Sequence, residues 1–215
     1  MSSYAGALVI SKRVLDSSRS EEASSEALLI DRCRKQDEQA FAQFIDLYQA
    51  RVFGFIKRMT TNAEEAADLT QEVFIRAYQH FPRFDLRSSV KTWLFKIAHN
   101  LCIDHSRKVA RTPDSLSLYS DSQAEDDYEI ADFEWEPERV AIDAELARAL
   151  EDGISKMSEK LRSVLLMHDR EDMAYDEIAS ILSIPVGTVK SRLFLARAFL
   201  QNELAPRLKS TEIRN

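Results

Sequence analysis

Chain breakers are scarce here: the 215 residues include four glycines and five prolines. That excludes a many-turned β architecture and any Gly-rich phosphate cradle. The two cysteines, Cys33 and Cys102, lie far apart with no Cys-x-x-Cys pair, which excludes a disulfide framework and suits a reducing cytoplasm. No apolar run approaches the roughly 20 residues of a membrane span, so no membrane insertion is expected. Residues 4–10 are mildly apolar, but the run is too short for a signal peptide and is followed, not preceded, by Lys12 and Arg13. A soluble, cytoplasmic protein is expected. There is no Ser/His/Asp order and no His-Glu-x-x-His, so neither catalysis by this chain alone nor a cofactor is expected. His99, Cys102 and His105 share a sector of one helix, but one helix with no fourth ligand is poor zinc geometry, and no metal is expected.

Present instead are 45% hydrophobic residues, enough for a real core. Ala, Leu, Glu, Arg and Ile dominate the periodic stretches, which predicts an all-α protein. The net charge of −7 is unevenly spread. Residues 113–137 hold nine acids and no Lys or Arg; without them, 29 basic residues face 27 acidic ones. The total therefore hides local basic faces, and local faces are what meet phosphate.

Residues 1–24 are serine-rich and aperiodic and read as a disordered tail. A helix follows from Ser25 toward Arg34 and Lys35. A longer one carries Phe41, Phe44, Ile45, Tyr48, Val52, Phe55, Ile56 and Met59 at helical spacing. Asn62-Ala63-Glu64-Glu65 has capping-box form and predicts a helix start at Asn62. That helix runs through Leu69, Val73, Phe74 and Tyr78 and stops near Phe81-Pro82-Arg83-Phe84. A fourth spans roughly Val90–Arg107, with Trp93, Leu94, Ile97 and Leu101 on its apolar face and Lys96, His99, Asn100, Ile103 and Arg107 on the other. The acidic stretch 113–137 is too long for a structureless loop inside one domain and reads as an interdomain linker. From Pro137 a second block places helices near 138–152, 158–168, 174–182 and 186–204, with residues 209–215 frayed. The expected architecture is two small helical domains, 25–112 and 138–208, joined by a long acidic linker.

The stretch Tyr175 to Leu193 organises the second block. Ile178, Ala179 and Leu182 recur at helical spacing until Ser183-Ile184-Pro185, and Pro185 can both end one helix and begin the next. In the next helix Val189, Leu193, Ala196 and Leu200 share a face, while Thr188, Lys190, Ser191, Arg192, Phe194 and Arg197 largely point elsewhere. Hydroxyls and cations without an acid from Val186 to Leu200 describe a helix-turn-helix able to read a major groove, or an ordinary amphipathic helical hairpin with a solvated basic face. Gly187 suits close approach of the helix start to a phosphate.

Three motifs in this order carry a resemblance: Asp68-Leu69-Thr70-Gln71-Glu72-Val73-Phe74, then Thr92 to Asn100, then Gly187 to Leu193. Over roughly residues 25–208 the chain resembles the extracytoplasmic-function (ECF) sigma factors of the sigma-70 family. The resemblance implies a subunit that binds core RNA polymerase and directs initiation at promoter DNA, often under an anti-sigma factor. It implies a polymerase-binding helix carrying Asp68, Gln71, Glu72, Phe74 and Arg76, whose acids around an apolar strip suit a protein partner.

By the same resemblance, the loop before the fourth helix and the helix itself would open and read the −10 element. Phe84, Leu86, Arg87, Ser88, Ser89 and Val90 would line a pocket for an extruded base, with Lys96, Asn100 and Arg107 on backbone or base edges and Lys108 and Arg111 adding nearby charge. Trp93 is assigned to the core. In the second domain Lys190, Ser191, Phe194 and Arg197 would face −35 bases, with Arg192 and Thr188 on phosphates. The loop lacks the glycine commoner in the family, and Leu195 and Ser183 stand where relatives often have Arg and Gly. The acidic linker resembles the segment that threads the polymerase cleft, although a charged self-repelling spacer fits the same residues; neutralising Asp126, Asp127 and Glu129 is expected to weaken holoenzyme assembly or alter early transcript release, and wild-type behaviour would return it to a spacer. An operator-binding helix-turn-helix dimer and a helical protein-interaction module are the rivals. The first would bind duplex tightly without polymerase; the second would show no promoter dependence.

Overall fold

A computed structural model describes residues 25–60, 62–111 and 144–212, with side chains from 146 to 205 in the last span. The expected tail and acidic linker lie outside these residues. Among the described residues all regular structure is helical. The elements are α1 (25–34), α2 (Glu38–Thr60), α3 (Ala63–His80), a 3₁₀ turn (Phe81–Arg83), α4 (Val90–Arg111), α5 (Ala144–Lys156), α6 (Glu159–Leu165), a π turn (Leu166–Arg170), α7 (Tyr175–Leu182) and α8 (Val186–Glu212).

Asn62 caps α3, its Oδ1 accepting the backbone N–H groups of Glu64 at 2.9 Å and Glu65 at 3.4 Å. Two of the orphan donors of that helix start are thereby satisfied. The first domain is held by α2, whose Phe41, Phe44, Tyr48, Val52, Phe55, Ile56 and Met59 are all buried. Phe44 meets Phe81 edge-on at 5.1 Å, and Phe81 meets Trp93 at 5.1 Å. Edge-to-face rings add a directional preference to area burial. Trp93 thus braces the junction between the 3₁₀ turn and α4.

Four elements differ from their expected limits, α5 among them, which runs past 152 to Lys156. The helix expected to end at 168 closes at Leu165 and continues as the π turn, with Glu171 N–H reaching Leu166 O at 3.2 Å. Asp172 then takes a positive φ of 49° and reverses the chain into α7. The last helix, expected near 186–204 with a frayed end, runs to Glu212; once the packed turns have nucleated it, propagation is cheap. Helix α4 extends one turn beyond Arg107.

The two domains do not stand apart. Their buried residues form one continuous cluster, with α4 against α7 and α2 against α5 and α6. Arg162 of α6 bolts this contact. Its buried guanidinium donates to Arg58 O and Met59 O at the end of α2, and to Ser155 O and Met157 O at the end of α5. The final carbonyls of a helix lack internal partners, so a cation there satisfies both valence and dipole.

Candidate nucleic-acid interface

Helices α7 and α8 bend by 101° across their turn, inside the range of helix-turn-helix pairs. Ser183 makes the turn in the left-handed region, φ 55° and ψ 44°, a conformation costing a non-glycine residue roughly 1–2 kcal/mol. Ile184 N–H closes it on Ala179 O at 3.1 Å, and Pro185 O accepts the N–H groups of Thr188 and Val189 to start α8. Val189, Leu193 and Ala196 are buried, which fixes the rotation of α8.

The opposite face of α8 then carries Lys190 and Phe194 into solvent, Phe194 being 43% exposed. Lys190 Nζ sits 5.7 Å from the Tyr175 ring centroid, a cation–π contact that orients it without neutralising it. Ser191 Oγ donates to Thr188 O at 3.1 Å, and Thr188, Ser191 and Arg192 are half-buried. Burial lowers the Arg192 pKa from its ordinary value. Arg197 pairs with Asp169 at 2.7 Å and thus serves to anchor α8 on the π turn. Leu195 is 38% exposed. Gly187 is exposed, and a Cβ there would meet nothing within 4 Å.

On the first domain, the glycine-free loop solves its turn at Leu86, which takes φ 62° and is exposed. Asp85 stabilises that turn locally: its Oδ1 accepts Arg87 N–H at 3.2 Å, and its Oδ2 pairs with Arg87 Nε at 2.9 Å. Ser88 is exposed, and Ser89 Oγ caps α4 by accepting Thr92 N–H at 3.0 Å. Phe84 does not line an open pocket; it is buried, 5.0 Å from the Trp93 ring. Its periodicity-free position near the loop gave no sign of that burial. Val90 is buried as well. Lys96, Asn100, Arg107, Lys108 and Arg111 are all exposed on α4. At 100° per residue, Lys96, Asn100 and Arg107 fall within about 40° of one another and form one stripe. His99 beside them is half-buried, and burial pulls its pKa down to about 4.

On α3, Asp68 and Gln71 are exposed, and Glu72 pairs with Arg76 at 2.7 Å. Phe74 is buried at the floor of a groove of about 520 Å³ between α2 and α3, with Ile45, Ile75 and Tyr78 along it. Ile75 is 52% exposed, a large apolar side chain at the rim of an apolar groove.

A set of residues unmarked by sequence periodicity joins the two domains. Glu177 of α7 accepts from Thr92 Oγ1 at 2.5 Å and Ser89 Oγ at 3.1 Å, and also from its own Ala174 N–H at 3.1 Å. Burial pushes its pKa up, but these three donors outweigh that and hold it below the ordinary glutamate range. Glu171 accepts from Arg51 Nε at 2.8 Å, and Lys91 donates to its backbone oxygen. Here burial wins over the Arg51 and Lys91 charges and raises the carboxyl pKa. Glu151 forks with Arg58 at 2.6 Å and also takes Arg170 at 3.1 Å.

Among the described residues no group of three His, Cys, Asp or Glu is placed to hold a metal. Cys102 is buried, its thiol pushed up to about 12 by burial and then by Glu159. No single described helix is long and apolar enough to cross a membrane.

A right-angled helix pair with a cationic outer face, packed beside a helical domain with its own basic stripe, defines a two-domain helical protein of the transcription-factor class. The sigma-70 region 2 family matches residues 44–112, and the sigma-70 region 4 family matches residues 147–200. The ECF RNA polymerase sigma factor SigW of Bacillus subtilis is 35% identical over 185 residues, covering 81% of this chain and 94% of that protein. The RNA polymerase sigma-H factor of Pseudomonas aeruginosa is 35% identical over 183 residues, with 84% and 94% covered. The ECF sigma-E factor of Escherichia coli K12 is 30% identical over 191 residues, with 87% and 98% covered. The chain belongs to the ECF sigma factors, the transcription-directing specificity subunits of the sigma-70 family.

Two solved structures share the fold. The sigma factor RpoE of Bartonella quintana, in complex with the anti-sigma factor NepR, aligns with a TM-score of 0.59 at 23% identity, covering 77% of this chain and 96% of that one. CnrH, in complex with the cytosolic domain of CnrY, aligns with a TM-score of 0.60 at 21% identity, with 83% and 96% covered.

Proposed function

We propose that this chain docks on core RNA polymerase through α3 and its groove, reads a −35 element with α8, and opens and reads a −10 element with α4 and the loop before it. The observation that carries this reading is the pairing of two outward cationic faces, Lys190 with Phe194 on α8 and Lys96 with Asn100 and Arg107 on α4. Phosphate contacts from the cations supply affinity and register; Asn100, Phe194 and Ser191 are the side chains able to meet base edges or methyls. Arg197 and Phe84 play supporting roles, one holding α8 and the other the ring stack under α4. Gln71 and Ile75 on the groove, with Phe74 as its floor, and the exposed Asp68 of the same helix supply the polymerase contact.

An anti-sigma factor fits the same reading, since one structure of this fold, RpoE of Bartonella quintana, is held by the anti-sigma factor NepR. The test is reconstitution of the full chain with core polymerase on a library of promoter fragments. Specific initiation that depends on the chain, with weak duplex binding by the chain alone, is expected. Tight, polymerase-independent binding to a palindromic duplex would transfer the protein to the operator-binding regulators.

A further inference from the structure

Between the middle of α2 and the π turn lies a cavity of about 190 Å³, and three guanidiniums line it. Arg51 and Arg58 come from α2, and seven positions place them within about 20° of each other around that helix. Arg170 comes from the end of the π turn, with Glu171 beside it. The small residues Ala50 and Gly54 leave the α2 wall open, and Arg58 Nη1 donates back to Gly54 O at 3.0 Å.

Counting donors shows what the cavity lacks. A guanidinium carries about five N–H groups in a fixed fork. Arg51 gives Nε and Nη2 to Glu171, and Arg170 gives Nη2 to Glu151. Nη1 of Arg51, and Nε and Nη1 of Arg170, meet no partner among the described residues. Charge is left over as well. Arg51, Arg58, Arg170 and neighbouring Lys91 face the carboxylates of Glu151, Glu171 and Asp172, four cations against three anions. Glu151, shared by Arg58 and Arg170, is 44% exposed and stands outside the cavity wall, where an incoming anion can replace it.

We propose that this cavity is a binding site for a compact phosphate anion of one or two phosphoryl groups, held by Arg51, Arg58 and Arg170 in place of Glu151. A carboxylate offers two oxygens, whereas three forks suit an acceptor with more, and a terminal phosphoryl group brings three at about −1.5 to −2 charge. The volume is about six times the roughly 30 Å³ share of one water, which admits such an anion and little else. Promoter phosphates are not the occupant. Lys91, which donates to Glu171 O beside the cavity, lies about 140° around α4 from the stripe headed by Lys96. The site is thus separate from the surfaces assigned above to polymerase and promoter, and its failure would leave the sigma reading untouched.

The experiment is titration calorimetry and thermal unfolding of the full chain with pyrophosphate, against sodium chloride at matched ionic strength. At ten times Kd, pyrophosphate should raise Tm by roughly 3–6 °C. Arg170→Gln removes one fork at an exposed position and should weaken binding by about 5–10-fold. Ala50→Phe, also at an exposed position, fills the cavity without touching the core and should abolish binding. Glu151→Gln releases two forks and should tighten binding by about 3–10-fold. A nucleoside diphosphate bound as tightly as pyrophosphate assigns the site to the phosphate end of a nucleotide; weaker binding assigns it to the free anion. A Tm no higher in pyrophosphate than in sodium chloride overturns the site. Equal affinity in wild type, Arg170→Gln and Ala50→Phe would put the anion elsewhere and overturn it equally. Unchanged or weaker affinity in Glu151→Gln overturns the replacement of Glu151 by the ligand.

Discussion

Arg162→Met tests the physical account of the domain contact most severely. The guanidinium is buried and spends its donors on four backbone oxygens, Arg58 O, Met59 O, Ser155 O and Met157 O. Methionine fills a similar volume with no donor. Each buried acceptor left unpaired costs about 1–3 kcal/mol, while releasing a buried charge from its desolvation penalty offsets part of the sum. A net loss of about 3 kcal/mol follows. For a chain of this size that lowers Tm by roughly 6–12 °C, at about 2–4 °C per kcal/mol. Two of the four acceptors belong to the first domain, so the substitution should also uncouple the domains. Calorimetry is the assay: one cooperative transition in the parent should split into two in the variant. Arg162→Lys keeps the charge but not the fork, and should recover less than half of the loss. A Tm shift below about 2 °C for Arg162→Met, with the single transition preserved, would refute the assignment of Arg162 as the bolt.

Removing the α3 cap by Asn62→Ala should cost about 1 kcal/mol, read as a lower denaturant midpoint with an unchanged slope. His99 is held neutral by burial down to about pH 4, against 6.5 ordinarily. Between those values the unfolded chain binds a proton that the folded chain refuses, so stability falls as pH falls through that window, by at most about 3 kcal/mol. His99→Leu should flatten that slope in urea titrations at pH 7 and pH 4.5. Lys190→Ala should weaken binding of holoenzyme to its promoter and reduce the salt slope of log K by about 1 if the ammonium meets a phosphate. An unchanged slope would assign Lys190 to the Tyr175 ring alone.

The helices of this protein are legible because their apolar residues repeat at the helical period. Phe41 through Met59 marks α2, and Val189, Leu193 and Ala196 mark the buried side of α8, before any contact is known. Caps and breakers were legible for the same local reason: Asn62 accepts the N–H groups two and three residues on, and Pro185 opens α8. Burial of Phe84 was not legible, since a loop residue carries no period and its fate depends on Trp93 and Phe81 arriving from elsewhere. The pairing of Arg197 with Asp169 is hidden likewise, because the partner sits 28 positions away on an irregular turn.

Composition and periodicity thus settled an all-helical chain with a helix-turn-helix in its second block, and three motifs carried the resemblance to the ECF sigma family. Those properties depend on neighbours within about two turns of helix, and such neighbours are written next to one another in the chain. How the two domains meet was decided only in three dimensions. Glu177 with Ser89 and Thr92, Glu151 with Arg58, and Arg162 with the end of α2 are partners separated by 85 to 104 positions. No local pattern encodes which of many surface charges will face one another, because that choice follows from how the packed helix faces are oriented.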